Sequence, residues 1–111
     1  MTQATIEAAT KRFVKEVRRI YGTELENIYL YGSCARKDFQ ADSDIDLFLL
    51  LNVPVEDLAY RRSLITDTAD QIDLDYDVVL SPVVQSTDQF KKYSSVSPFY
   101  QNIIKEGIPL G

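Results

Sequence analysis

Apolar residues recur at helical spacing near the start of the chain. Ile6, Phe13, Val17, Ile20 and Tyr21 fall on one stripe and predict a helix over Gln3–Tyr21, with Gly22 as its stop. Lys11, Lys15, Arg18 and Arg19 lie largely off that stripe, and a solvated face accounts for them better than docking of an acidic partner. Asn27–Tyr31 is rich in aromatic and branched residues and predicts a buried strand ended by Gly32-Ser33. A short helical turn over Cys34–Asp38 and a polar loop through Ser43 lead into Asp44–Leu51. The apolar half of that segment is greasy on both faces, which predicts a central strand. Pro54 suits the first turn of a helix running to about Gln71, with Val55, Leu58, Ile65 and Ala69 on its apolar face, Ile72 at the margin, and Asp57 paired with Arg61 at i,i+4. Ile72, Leu74, Tyr76 and Val78 then alternate with Asp73, Asp75 and Asp77, predicting a third strand over Ile72–Leu80 that Ser81-Pro82 stops. A short helix over Thr87–Tyr93 follows. A final helix is capped by Ser97-Pro98, carries Tyr100, Ile103 and Ile104, and ends at Gly107. The alternation of helices and strands predicts an α/β sandwich on a small mixed sheet, in a single domain over 1–111 without repeats or linkers.

Composition narrows the chemistry. The chain of 111 residues is long enough to bury one core without staples. Its net charge of −5 argues against a general nucleic-acid binder, which needs a basic footprint. No apolar run approaches the roughly 18 residues of a membrane span, and the first residues lack a basic-then-apolar signal pattern. One cysteine, Cys34, excludes an intrachain disulfide and fits a reducing cytoplasm, the expected location. Histidine is absent, which removes Ser-His-Asp and Cys-His catalysis, histidine zinc sites and a histidine base. Carboxylates, hydroxyls, amines or a bound metal must do any chemistry.

Asp44 and Asp46 stand two apart and point to one side of a strand. Asp73, Asp75 and Asp77 offer a third acidic group. Like charges 4 Å apart cost roughly 4 kcal/mol at an effective dielectric of 20. Such a cluster is tolerated in water or around a divalent cation, and an oxygen-only donor set suits Mg²⁺ or Mn²⁺ rather than zinc. Gly32 allows a ligand close to the backbone. The Ser33 hydroxyl and the free N–H groups of a following helical turn can hold a phosphate oxygen. A lone Gly-Ser or a lone Asp-x-Asp says little. Gly32-Ser33 followed after ten residues by Asp44-Ile45-Asp46, immediately before an apolar strand, is far more specific.

With Tyr31-Gly32-Ser33-Cys34-Ala35-Arg36, Asp42-Ser43-Asp44-Ile45-Asp46-Leu47, Asp77-Val78-Val79 and the ending Ile103–Leu110, nearly the whole sequence resembles the minimal nucleotidyltransferases of the DNA polymerase β-like superfamily. The resemblance implies the nucleotidyltransferase fold and transfer of a nucleoside monophosphate from a triphosphate, with release of pyrophosphate. It implies that Asp44, Asp46 and Asp77 are catalytic and hold Mg²⁺, two ions in number with Mn²⁺ as the substitute. Gly32, Ser33 and Arg36 bind the phosphates of ATP. Asp77 also assists deprotonation of the acceptor. Asp73 and Asp75 compete with Asp77 for the third role, and a surface salt bridge competes with the phosphate for Arg36. Lys37 departs from the pattern, which has glycine after the arginine. For Cys34 a small loop residue is preferred over a reactive thiol.

Larger members carry added helical domains for the acceptor, whereas the polymerase-like core here uses almost all of the chain. Minimal proteins of this kind resemble the antitoxin of prokaryotic toxin–antitoxin pairs. That likeness implies a HEPN-domain toxin as partner, AMP transfer onto a tyrosine hydroxyl of it, a homo-oligomer or a hetero-oligomer with the toxin, and neither membrane nor direct nucleic-acid binding. Phe90, Tyr93, Phe99 and Tyr100 are expected to pack the last helices onto the sheet ahead of forming a partner-facing patch. Two rival readings are a nucleotidyltransferase acting on a small molecule such as an aminoglycoside, and a module that neutralises its partner by contact alone.

Overall fold

The amphipathic first segment forms α1 (Gln3–Tyr21) in the computed structural model, which describes residues 1–111. The Thr5 N–H donates to the Thr2 hydroxyl at 3.1 Å to cap it, and Gly22 at φ 57° turns the chain out of it. A 3₁₀ turn over Gly22–Glu24 leads to β1 (Leu25–Tyr31), two residues longer than the sequence predicts. The short helix α2 (Gly32–Arg36) follows at once, and β2 (Ile45–Leu51) comes after the polar loop.

The predicted long helix after Pro54 is interrupted. A 3₁₀ turn (Val55–Asp57), α3 (Leu58–Ser63) and α4 (Thr66–Tyr76) replace it. Val55 is exposed, so the apolar face consists of Ile65, Ala69 and Ile72 with a half-buried Leu58. Arg61 does not pair with Asp57. Its guanidinium takes both Glu24 oxygens, at 2.8 and 2.7 Å, across the gap to the 3₁₀ turn below α1.

The third strand is the main correction. Residues 72–76 belong to α4, and β3 is Leu80–Ser86. Ile65, Ala69 and Ile72 recur at helical intervals and are buried, while Leu74, which alternation would put in the core, is the most exposed large apolar side chain at 79%. Pro82 does not stop a strand; it lies inside β3, at the sheet edge where a missing N–H is tolerated. Helices α5 (Thr87–Tyr93) and α6 (Pro98–Glu106) form where expected. The Tyr100 N–H donates to the capping Ser97 hydroxyl at 3.2 Å. A two-residue strand β4 (Ile108–Pro109), not foreseen, closes the other edge.

The sheet order is β3-β2-β1-β4, with β2 parallel to β3 and antiparallel to β1. A parallel pair requires a crossover, which α3 and α4 supply. Central strand β2 feeds two cores. Ile45, Leu47, Leu49 and Leu51 join Ile6, Phe13, Val17 and Ile72 on one face. Phe48 and Leu50 meet Phe90 and Ile103 on the other, with Tyr29, Tyr31 and Tyr100 around them. No helix is long and apolar enough to cross a membrane.

Candidate active site

The turn from β1 into α2 sits directly against the end of β2. Tyr31, the last residue of β1, lies opposite Asp46 in the antiparallel register. Gly32 follows at φ 72°, and a Cβ added there would collide with the Asp46 carboxylate. Glycine is required twice, by the left-handed backbone and by the carboxylate beside it. Ser33 stands next to Asp46's neighbour in the first turn of α2, where the opening N–H groups have no partner within the helix.

Asp44 immediately precedes β2 and shares its side with Asp46. The Ile45 N–H donates to the Val79 carbonyl at 2.8 Å, so the pair is tied to the segment entering β3. Burial raises the Asp46 pKa, the Asp44 charge raises it further, and the Arg36 charge works against both. The Cys34 thiol is buried, points to the Asp44 carbonyl at 3.6 Å, and is pushed up by burial and then by Asp46. It is a core residue rather than a reactive thiol.

The other expected site residues distribute differently. Arg36 is held by Asp38 at 3.1 Å and, from α6, by Glu106 at 3.4 Å, which is the salt-bridge alternative weighed in the sequence. Lys37 adopts a left-handed conformation, φ 64°, at the end of α2. Asp73, Asp75 and Asp77 do not share a strand face, because α4 displaces that strand. Asp73 accepts the Leu80 N–H at 2.8 Å; burial raises its pKa, that hydrogen bond opposes the rise, and the Asp70 and Asp44 charges add smaller contributions to it. Asp75 faces Arg12 and Gln71, whose hydrogen bonds lower its pKa. Asp77, left-handed at φ 52°, lines a cavity of about 290 Å³ with Asp42, Ser43 and Val79.

No three His, Cys, Asp or Glu side chains group to hold a metal. Asp44 and Asp46 are the carboxylates that the start of β2 brings to one side, and no third carboxylate groups with them. Two carboxylates that act on each other, one partly buried and with only a protonated thiol nearby, fit a hard divalent cation and not zinc. Sequence reasoning missed Glu106 as the partner of Arg36 and Tyr31 as the neighbour of Asp46. The first contact joins residues 70 positions apart, which no local pattern reveals. The second follows only from the register of β1 on β2.

The sequence model of the nucleotidyltransferase domain matches residues 10–110. A Methanocaldococcus jannaschii protein provisionally named a protein adenylyltransferase is 34% identical over 101 residues, covering 91% of this chain and 93% of that one. A crystal structure from Sulfolobus solfataricus, provisionally described as a nucleotidyltransferase, superposes with a TM-score of 0.61 at 20% identity, over 96% of this chain and 80% of that one. A toxin–antitoxin crystal structure with AMP-PNP gives a TM-score of 0.59 at 23% identity, over 89% and 70% of the two chains. The fold is thus that of these solved structures. With the domain match spanning nearly all of its length and the Gly32-Ser33 turn seated on Asp46, this chain belongs to the nucleotidyltransferase domain family and is a nucleotidyltransferase.

Proposed function

We propose that the protein transfers AMP from ATP to a hydroxyl group of a partner protein, a tyrosine of a HEPN-domain toxin, and thereby acts as its antitoxin. The observation that carries this reading is the contact of Gly32 with the Asp46 carboxylate. It supports the reading by bringing the turn proposed to grip phosphate next to the carboxylates proposed to hold the metal. The name of the Methanocaldococcus jannaschii relative supports a protein acceptor, and the AMP-PNP-bound toxin–antitoxin neighbour supports ATP and a toxin partner.

In this reading the Ser33 hydroxyl and the first N–H groups of α2 hold the β- and γ-phosphates, and Gly32 lets them approach. Arg36 exchanges its Glu106 contact for a phosphate oxygen. Asp44 and Asp46 would hold Mg²⁺, with Mn²⁺ as the substitute; Asp77, which lines a cavity with Ser43 and does not group with the pair, would have to move toward them to complete the set. A Mg²⁺ ion held by these aspartates would supply charge neutralisation for a triphosphate that the bare carboxylates repel. The acceptor oxygen forms a bond to the α-phosphorus, the bond to the bridging oxygen breaks, and pyrophosphate leaves. The hydroxyl proton passes to a carboxylate, with Asp77 assigned ahead of Asp73.

The test mixes the protein, labelled ATP and Mg²⁺ with the product of the neighbouring gene, alongside the double variant Asp44→Asn plus Asp46→Asn. Label on the partner that disappears in the double variant is expected. Equal neutralisation by the variant without label points to a contact-only module, and a labelled small molecule points to a different acceptor class.

A further inference from the structure

Beside the catalytic pair, α5 and α6 leave an open groove of about 420 Å³ lined by Gln89, Tyr93, Val96, Ser97, Phe99 and Tyr100. Its size is that of a small-molecule site. Val96 is 70% exposed and Tyr93 is 39% exposed; Phe99, packed on Tyr31, Phe48 and Tyr100, still leaves 39% of its surface open to solvent. The groove is linked to the active site through one packed aromatic pair. The Phe99 ring lies 5.6 Å from the Tyr31 ring, edge to face, and Tyr31 is the residue opposite Asp46. One aromatic side chain therefore separates the groove from the catalytic carboxylate.

We propose that this groove receives the heterocyclic base of the nucleoside triphosphate, with Phe99 as its stacking surface. The inference rests on the nucleotidyltransfer reading above. A flat π-system is the ligand chemistry that an aromatic wall at this spacing favours, and stacking accepts any base. The few polar groups suit an orienting role. The Gln89 amide lines the groove and offers both a donor and an acceptor to a base edge. The Ser97 oxygen accepts the Tyr100 N–H as a helix cap, leaving its O–H free to donate. With the triphosphate at Gly32-Ser33 and the α-phosphorus at Asp44 and Asp46, the ribose spans the step past Tyr31 and the base falls on Phe99.

The test compares ATP with inorganic tripolyphosphate, each with Mg²⁺, by calorimetric titration of the wild type, Phe99→Leu and Val96→Gln. Phe99→Leu keeps apolar volume but removes the π-face. Val96→Gln alters a wall residue that is 70% exposed and outside both cores, so at least one variant reports on a folded protein. Wild type is expected to bind ATP at least tenfold more tightly than tripolyphosphate, and Phe99→Leu to lose about tenfold for ATP with tripolyphosphate unchanged. Unaltered ATP affinity in both variants overturns the base site while leaving nucleotidyltransfer intact. So does a loss of partner labelling at unchanged ATP affinity, which assigns the groove to the acceptor. Failure of the wild type to bind either ligand is instead the failure of the nucleotidyltransfer reading, and the base site falls with it.

Discussion

At Lys37 the backbone is left-handed, which explains why the resembling pattern places glycine after the arginine. A residue with a Cβ pays roughly 1–2 kcal/mol there, part of which glycine would return through its greater freedom in the unfolded chain. Lys37→Gly should therefore stabilise the protein by up to about 1 kcal/mol in urea denaturation, and unchanged or lower stability would mean that the lysine side chain compensates through contacts of its own. Gly32 presents the opposite case. It shares the left-handed geometry, but its missing Cβ also makes room for Asp46, so a side chain there is strained and must displace the Asp46 carboxylate. Sequence spacing made Gly32, Ser33, Asp44 and Asp46 legible because all four lie within a short stretch whose strand ends are well marked.

The elements differ in how clearly the sequence announces them. Helices α1 and α6 carry both periodicity and a terminal signal and form where these predict, and the short α5 also forms at its expected place. Helix α4 was obscured because Ile72, Leu74 and Tyr76 satisfy alternation over a few residues, whereas the deciding helical partners, Ile65 and Ala69, lie upstream. That error also misplaced the third acidic group, since Asp73 and Asp75 were read as strand residues. Between elements, the Glu24–Arg61 pair links the 3₁₀ turn after α1 to α3. The Arg61 hydrogen bond holds the Glu24 carboxyl below its ordinary pKa, with burial opposing and the Arg61 charge adding to the shift. A lowered folded-state pKa stabilises above the unfolded value and is lost as pH falls through the folded one. Glu24→Gln should flatten the acid-side fall in stability measured by denaturation between neutral pH and pH about 3, and high salt should shrink the difference. An unchanged acid limb would show that the pair contributes nothing to folding.

Across the whole molecule, β2 joins two cores to one site. Its inward residues on both faces fix the strand, and the end of that strand presents Asp46 beside Tyr31 and Gly32. The mixed sheet was readable from the order of elements, but the long-range contacts Arg36–Glu106 and Tyr31–Phe99 depend on how α6 crosses the sheet. Partial burial makes the Asp46 charge costly beside Asp44, an arrangement that a divalent cation relieves. The most direct measurement is calorimetric titration of ATP into the protein with and without Mg²⁺, repeated on the Asp44→Asn, Asp46→Asn double variant. Saturable uptake that needs the ion and vanishes in the variant is the predicted result. Equal uptake by the variant, or none by the wild type with Mg²⁺ present, would contradict the account.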